Sequence, residues 1–329
     1  MKEYQIGKND AGQRLDRFIS KAVPLLPTSL AQKYIRLKRF KIDGKSAKRD
    51  YVLNQGDVLQ MYINDEYFEE TRNNVLYNKN VQSQRILSEP DILYEDDNIM
   101  LINKPAGVLC HSDKDSDKDS LISQVLAYLY QGGKWNPENE HSFRPALCNR
   151  IDRNTSGIVI VSKNAQSLRL LNEKIRKREI DKYYMALVLG EPGEPAGRLF
   201  GYHEKDSVAN RVTISQQSNE KTKEAIMEYK TLATTGNLSL LECLLFTGRT
   251  HQIRAQLAEI GTPILGDNKY GDKSMNKQFG EKFQALCSYK LVLSFKSDAG
   301  IMQYLNKKEF LCENIPFLDK YFPDYSKLI

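Results

Sequence analysis

Leu15, Phe18, Ile19 and Ala22 fall at i, i+3, i+4 and i+7, the spacing of a helix with one apolar face. Pro24 and Pro27 end it. Thr28 or Ser29 is placed to cap a second helix, with Leu30, Tyr34 and Leu37 as its stripe. Ile42-Asp43-Gly44-Lys45 reads as a strand entering a tight turn, and Asn54-Gln55-Gly56-Asp57 as a turn before a strand from Val58 to Ile63. From Asn64 to Glu89 no period is sustained, and the polar composition is that of a linker. A second pattern begins near Pro90. Ile92 to Val108 reads as strand, acidic turn, strand and Pro/Gly turn. After an exposed loop, Asp113 to Asp119, the residues Leu121, Ile122, Val125, Leu126 and Leu129 make an amphipathic helix. Four β-branched residues, Ile158 to Val161, follow a Thr-Ser-Gly turn as a buried strand. Leu168 to Lys182 reads as a highly charged helix, followed by a strand from Tyr184 to Leu189. Gly201 to Tyr229 is loosely strand-like. Leu238 to Phe246 is a strand running into a turn that opens a helix, where Ile253 and Leu257 share a face. Lys290 to Phe295 adds a further strand.

These patterns divide the chain into residues 1–63, a linker at 64–89, and residues 90–329. The 329 residues, 40% hydrophobic and 27% charged, suit a soluble globular protein of two domains. No apolar run reaches the roughly 20 residues of a bilayer span, so no membrane partner is expected. Met1 to Asp10 is polar and does not read as a signal peptide. Five scattered cysteines without a Cys-x-x-Cys pair argue against a disulfide framework or a zinc site, so a cytoplasmic location and no metal are expected. The net charge of +6 is concentrated at the start, where residues 1–63 hold thirteen lysines and arginines against six acids. Arg36, Lys38 and Arg39 sit in the densest stretch. Such an excess suits a phosphate backbone, the alternative being a solvated face.

Asp152 is the foremost candidate for chemistry. It stands between Arg150 and Arg153, just ahead of Thr155-Ser156-Gly157. Nearby cations favour the charged form of a carboxylate, which makes this one available as a nucleophile or electrostatic anchor. An acid beside arginines is more often a structural ion pair, but this one lies on a loop backed by a buried strand, a rigid support for a functional group. Arg150, two residues away, points to the same side if the segment is extended.

Arg150-Ile151-Asp152-Arg153-Asn154-Thr155-Ser156-Gly157 closely resembles the Arg-Leu-Asp-x-x-Thr-Ser-Gly motif of the RluA-type pseudouridine synthases. Lys182-Tyr183-Tyr184-Met185-Ala186 matches that family's Lys-x-Tyr-x-Ala. Gly248-Arg249-Thr250-His251-Gln252-Ile253-Arg254 matches its Gly-Arg-Thr-His-Gln-Ile-Arg without a change. Residues 12–63 resemble the S4-type RNA-binding fold, as in RluC/RluD-like members. Two departures stand out: Asn149 where many members have His, and Leu286-Cys287-Ser288 in place of Leu-His-Ala.

The resemblance implies an α+β protein. Its catalytic domain would be a mixed, mostly antiparallel sheet with flanking helices and a basic cleft around Asp152, beside a small S4-like α/β module. It implies isomerisation of uridine to pseudouridine in structured RNA, without a cofactor. Asp152 would be the attacking aspartate; whether it adds to the sugar or the base, or mainly stabilises charge, stays open. Arg150 would hold the flipped nucleotide, whose extrusion costs about a few kcal/mol. Tyr184 would stack on the target base and take part in proton transfer from C5, Arg254 would pair with Asp152, and Arg249 and His251 would contact RNA or orient their loop. The expected partner is large-subunit (23S) ribosomal RNA or the assembling subunit, with tRNA second, and the expected state is a monomer. Two other readings remain: an RNA-binding or ribosome-assembly factor that no longer turns over, and a glycosidic enzyme that would need a second carboxylate.

Overall fold

The computed structural model describes residues 1–68, 87, 91–111, 119–206 and 211–325. Most of the expected linker and of the acidic loop before Leu121 lies outside the described residues.

The N-terminal elements are β1 (Lys2–Gln5), α1 (Leu15–Ala22), α2 (Thr28–Arg36), β2 (Phe40–Ile42), β3 (Lys45–Ser46) and β4 (Val58–Met61). They form a four-stranded sheet, ordered β1-β4-β2-β3, with two helices. Leu15, Phe18, Ile19 and Ala22 are all buried, as their spacing predicts. Asp43 and Gly44 both take positive φ, the backbone that a two-residue hairpin with right-handed twist requires. The second helix departs from expectation. Pro27 holds its N-cap position and no side chain caps it. It buries Ala31 and Ile35, while Leu37 lies past its end and is 56% exposed. Two apolar stripes fit this window: Ala31 and Ile35 are buried in the core, and Leu30 and Tyr34 pack against it half-buried. Phe68, within the expected linker, is buried in the same core.

The remaining elements are β5 (Ile92–Glu95), β6 (Ile99–Lys104), α3 (Leu121–Gln131), β7 (Ala146–Leu147), β8 (Ser156–Ser162), α4 (Ala165–Arg176), β9 (Ile180–Leu189), β10 (Ala196–Asp206), β11 (Arg211–Ser215), β12 (Lys223–Thr235), β13 (Leu238–Leu245), α5 (Gln252–Glu259), α6 (Lys273–Phe279), β14 (Leu286–Leu293), β15 (Glu309–Leu311) and α7 (Pro316–Tyr321). Eleven strands make one sheet, in the order β11-β10-β12-β13-β9-β14-β8-β6-β5, with β15 added to β14 and β7 to β8. Among the described residues the pairing is antiparallel except between β14 and β8. The fold is α+β, as expected. The charged helix is shorter than its pattern suggests: it stops at Arg176, Arg178 turns in the left-handed region (φ 57°), and the strand begins at Ile180. The loose stretch after Gly201 is in fact long antiparallel strands, β10 to β12.

The run Ile158 to Val161 has a plain physical reason. Ile158 and Ile160 join the core on one face of the sheet, with Leu171 of α4. Val159 and Val161 join the other, with Leu121, Val125 and Leu129 of α3 and Ile253 and Leu257 of α5. A strand covered on both faces has no polar alternation.

One row of paired residues crosses the sheet where the site lies: Lys104, Gly157, Ser288, Tyr184 and Cys243. Directly opposed residues share a face, so the row puts Tyr184 on the same side as the loop that precedes Gly157. Gly157 sits at φ 107°, and a Cβ there would meet the Ser288 carbonyl oxygen at 2.2 Å. Gly157→Ala is therefore expected to cost at least about 3 kcal/mol in denaturant unfolding. A cost under 1 kcal/mol would mean that β8 and β14 can part without loss.

The N-terminal module meets the large sheet's connections through polar and aromatic contacts. Tyr4 stacks on His141 with ring centroids 4.2 Å apart. The buried Asp10 carboxylate accepts from the Ser142 backbone N–H (3.0 Å) and Oγ (2.6 Å). Asn9 Oδ1 accepts from Ala165 N at 3.1 Å, serving one of the unpaired amides that open α4. Among the described residues no helix is long and apolar enough to cross a membrane.

Candidate active site

The loop between β7 and β8 is held at each step. Asn149 Oδ1 accepts from Ile160 N at 2.7 Å, so this side chain acts as a ladder partner for β8. Lys104 is fully buried and donates to three carbonyls, those of Pro105 (2.9 Å), Val108 (2.8 Å) and Arg153 (3.0 Å). Burial pushes its pKa down to about 8. This ammonium ties the Pro/Gly turn after β6 to the residue next to Asp152. Thr155 N donates to the Asp152 carbonyl (3.1 Å), and Gln284 Nε2 donates to Thr155 Oγ1 (2.7 Å). Asp152 thus stands on a clamped turn with its carboxylate partly open to solvent.

Two groups approach Asp152 Oδ2: Arg254 Nη1 donates to it at 2.8 Å, and His251 Nε2 lies 3.9 Å away. Arg254 is held from behind by Asp267, which accepts from Nε at 2.6 Å and from Nη2 at 3.0 Å. Asp267 is fully buried and also accepts from the N–H groups of Lys269 and Tyr270. Burial alone would raise its pKa, but Arg254 and these amides outweigh burial and hold it below the usual carboxylate range. The guanidinium is therefore fixed on two oxygens before it reaches Asp152. Its sequence signal was faint, because Asp267 sits in a Gly-Asp turn that reads as punctuation.

His251 occupies the N-cap of α5 in the left-handed region (φ 54°). Burial pushes its pKa down to about 4, against the pull of Asp152, so the ring is neutral at physiological pH. Gln252 braces the turn from inside. Its Oε1 accepts from Thr247 Oγ1 (2.8 Å) and Arg249 N (3.1 Å), and its Nε2 donates to the Ile226 carbonyl (3.1 Å).

Asp152 lies in a cavity of about 570 Å³ whose lining includes Tyr184, Arg150, Arg249, His251 and Arg254. Tyr184 is buried, and burial raises its hydroxyl pKa well above the ordinary value. Its neighbour Tyr183 instead lines another groove, under the Lys290 ammonium. Arg150 is exposed at the rim. Arg249 Nε donates to the Glu224 carbonyl (3.0 Å). The cavity wall also holds Arg176, Arg178 and Lys182, from the stretch read as a highly charged helix. Arg176 and Arg178 are exposed at the cavity's edge, one ending α4 and the other in the turn that follows.

Arg36 and Lys38 line a different groove, with Lys48 and Arg49, on the N-terminal module. Arg39 does not line it; its guanidinium packs over the Tyr34 ring, 4.7 Å from the centroid. Among the described residues no group of three His, Cys, Asp or Glu side chains could hold a metal ion.

A single accessible carboxylate, aimed by a buried arginine in a cationic cavity beside an S4-like module, defines the class: an enzyme acting on RNA. Comparison with known proteins gives the family. Residues 98–259 match the family described as RNA pseudouridylate synthase, and residues 13–59 match the S4 domain. A protein of Mycoplasma capricolum named an uncharacterized RNA pseudouridine synthase is 31% identical over 94% of this chain and 96% of its own length. The ribosomal large subunit pseudouridine synthase C of Rickettsia bellii is 30% identical over 86% of this chain and 90% of its own. The solved structure of human RNA pseudouridylate synthase domain containing 1 has the same fold, with a TM-score of 0.54, 21% identity, and coverage of 72% of this chain and 89% of that one. The chain belongs to the RNA pseudouridine synthase family.

Proposed function

We propose that the protein converts specific uridines of large-subunit ribosomal RNA to pseudouridine, with Asp152 as nucleophile. The observation that carries this reading is the carboxylate of Asp152, held through Oδ2 by Arg254 and open to a cationic cavity of nucleotide size. The reaction breaks the N1–C1′ bond, turns the freed uracil and rejoins it through C5, with no oxidant and no outside group. Asp152 captures the intermediate while the base turns. Arg150, at the rim, keeps the nucleotide out of its stack. Tyr184 lies under the base, and its hydroxyl, kept protonated by burial, serves the proton step at C5.

A glycosidic enzyme with paired carboxylates fits poorly. The second acid near Asp152 is Asp267, fully buried and bound at both oxygens to Arg254, so it has no path to a substrate. In the proposed arrangement residues 1–63 grip RNA, 64–89 connect, and 90–329 carry the reaction, in a cytoplasmic monomer. Ribosomal RNA is ranked above tRNA because the relative from Rickettsia bellii is named for the large subunit.

Tritium release from 5-³H-uridine transcripts of 23S rRNA and of tRNA tests the reading. Release from 23S rRNA is expected. Release from tRNA alone would overturn the substrate and keep the chemistry. Release from neither, assembling subunits included, would overturn both. A separate measurement concerns the basic groove. Arg36→Glu with Arg49→Glu is expected to weaken RNA binding and make log K against log salt shallower by about 1–2. An unchanged slope would mean that this groove does not meet phosphates.

A further inference from the structure

Tyr270 follows α5 in the turn that also carries Asp267, and it belongs to none of the three motifs that mark the site. Among the described residues its hydroxyl has two partners: the Val212 N–H, at 2.8 Å, and His251 Nδ1, at 3.0 Å. The first can only donate, so the tyrosine oxygen accepts from it. A tyrosine hydroxyl has one proton to give, and the remaining partner is His251 Nδ1. Given to Nδ1, that proton makes the nitrogen the acceptor and leaves the proton of the neutral ring on Nε2. Nε2 is the atom that faces Asp152 Oδ2 at 3.9 Å. The phenol ring, meanwhile, packs against the Arg254 guanidinium, 5.1 Å from centroid to carbon. One tyrosine therefore touches both groups that address the catalytic carboxylate.

We propose that Tyr270 is a positioning residue: it locks neutral His251 in the Nε2–H form, so that an imidazole N–H, together with Arg254, addresses Oδ2 of Asp152 and leaves Oδ1 to meet the substrate. This rests on the synthase reading above and deepens it. Backbone strain supports it. His251 holds φ 54°, a region costly for a residue with a Cβ, and the loop is pinned there by His203 Nε2 against the Thr250 carbonyl at 2.9 Å. Strain of this kind persists where the surroundings impose it, and here it turns the ring toward both Tyr270 and Asp152. The gap of 3.9 Å is too long for a hydrogen bond without RNA, and such contacts often tighten only in the complex with substrate. Burial of the Tyr270 hydroxyl raises its pKa, so its proton stays in place to be donated.

The test uses the full chain labelled with ¹⁵N. Two-bond ¹H–¹⁵N spectra report which imidazole nitrogen carries the proton. The expected result is a protonated Nε2 and a bare Nδ1 for His251 in the wild type, with this preference lost in Tyr270→Phe, which keeps the ring over Arg254. On RNA, Tyr270→Phe is expected to lower kcat about tenfold and leave KM within about twofold, as misplacement of a catalytic group does. His251→Gln, whose amide N–H sits where Nε2 was, should lose less kcat than His251→Asn, whose amide sits where Nδ1 was. A proton on Nδ1 in the wild type would overturn the proposal, and so would an unchanged kcat in Tyr270→Phe or effects confined to KM. The tautomer is measured without turnover. A wild type that releases no tritium yet shows the Nε2–H form would therefore sink the reaction assigned above while this arrangement stood.

Discussion

Asp152→Asn is expected to bind RNA within about threefold of wild type and to lose at least about 10⁴-fold in turnover, the scale of removing a covalent nucleophile. The two halves of this expectation come from different parts of the structure. Binding persists because the cationic wall of the cavity, Arg150, Arg176, Arg178, Lys182 and Arg249, stands without Asp152. Arg254 also stays in place, because Asp267 holds it by two bonds that the substitution does not touch. Turnover fails because an amide of the same shape has no charge with which to attack or to balance a developing cation. Tritium release and filter binding on one transcript read both halves. Turnover within a hundredfold of wild type would show that Asp152 is not the nucleophile. A matching loss of binding would mean that it holds the RNA.

The reach of the sequence differs from one part of the site to the next. Asp152, Arg254 and His251 meet around one oxygen, and each lies in a contiguous motif, so local pattern was enough to nominate them. Tyr184 was separated from Tyr183 by motif register, and the row across β9, β14 and β8 gives that register its physical form. Asp267 and Tyr270 lie in no such motif, because what marks them is a partner elsewhere in the chain. Arg178 was misplaced for another reason. A charged stretch is compatible with a helix until something stops it, and the left-handed turn at Arg178 is visible only in the backbone. Asn149, a departure from the family pattern, turns out to bond the β8 backbone. In the N-terminal part, β1 has a single buried residue in four, too few to show a period.

Asp267→Asn is expected to destabilise the protein by about 3–5 kcal/mol, the cost of breaking a buried ion pair from one side. The choice of asparagine is specific. Its Oδ1 can still accept from the N–H groups of Lys269 and Tyr270, so the turn keeps its bonds. Its amide N–H would face Arg254 Nε, donor against donor, where a carboxylate oxygen now accepts at 2.6 Å. The guanidinium then stays buried with Asp152 as its one remaining acid. Removing both charges, as Arg254→Met with Asp267→Asn, should recover more than half of the lost stability, because no unpaired buried charge remains. Turnover should not recover, since Asp152 Oδ2 then lacks the Arg254 donor that holds it at 2.8 Å. The wild type carries a matching pH signature. Asp267 is lower in pKa folded than unfolded, so its contribution is present above the unfolded value, about 4, and is lost as pH falls through the folded one. Stability should therefore fall more steeply below about pH 4 in the wild type than in Asp267→Asn. Denaturant melts of the four proteins of the cycle, at neutral pH and near pH 3, decide it. A double variant as unstable as Asp267→Asn alone would place the cost in the turn. A double variant that turned over would remove Arg254 from the aim of the carboxylate.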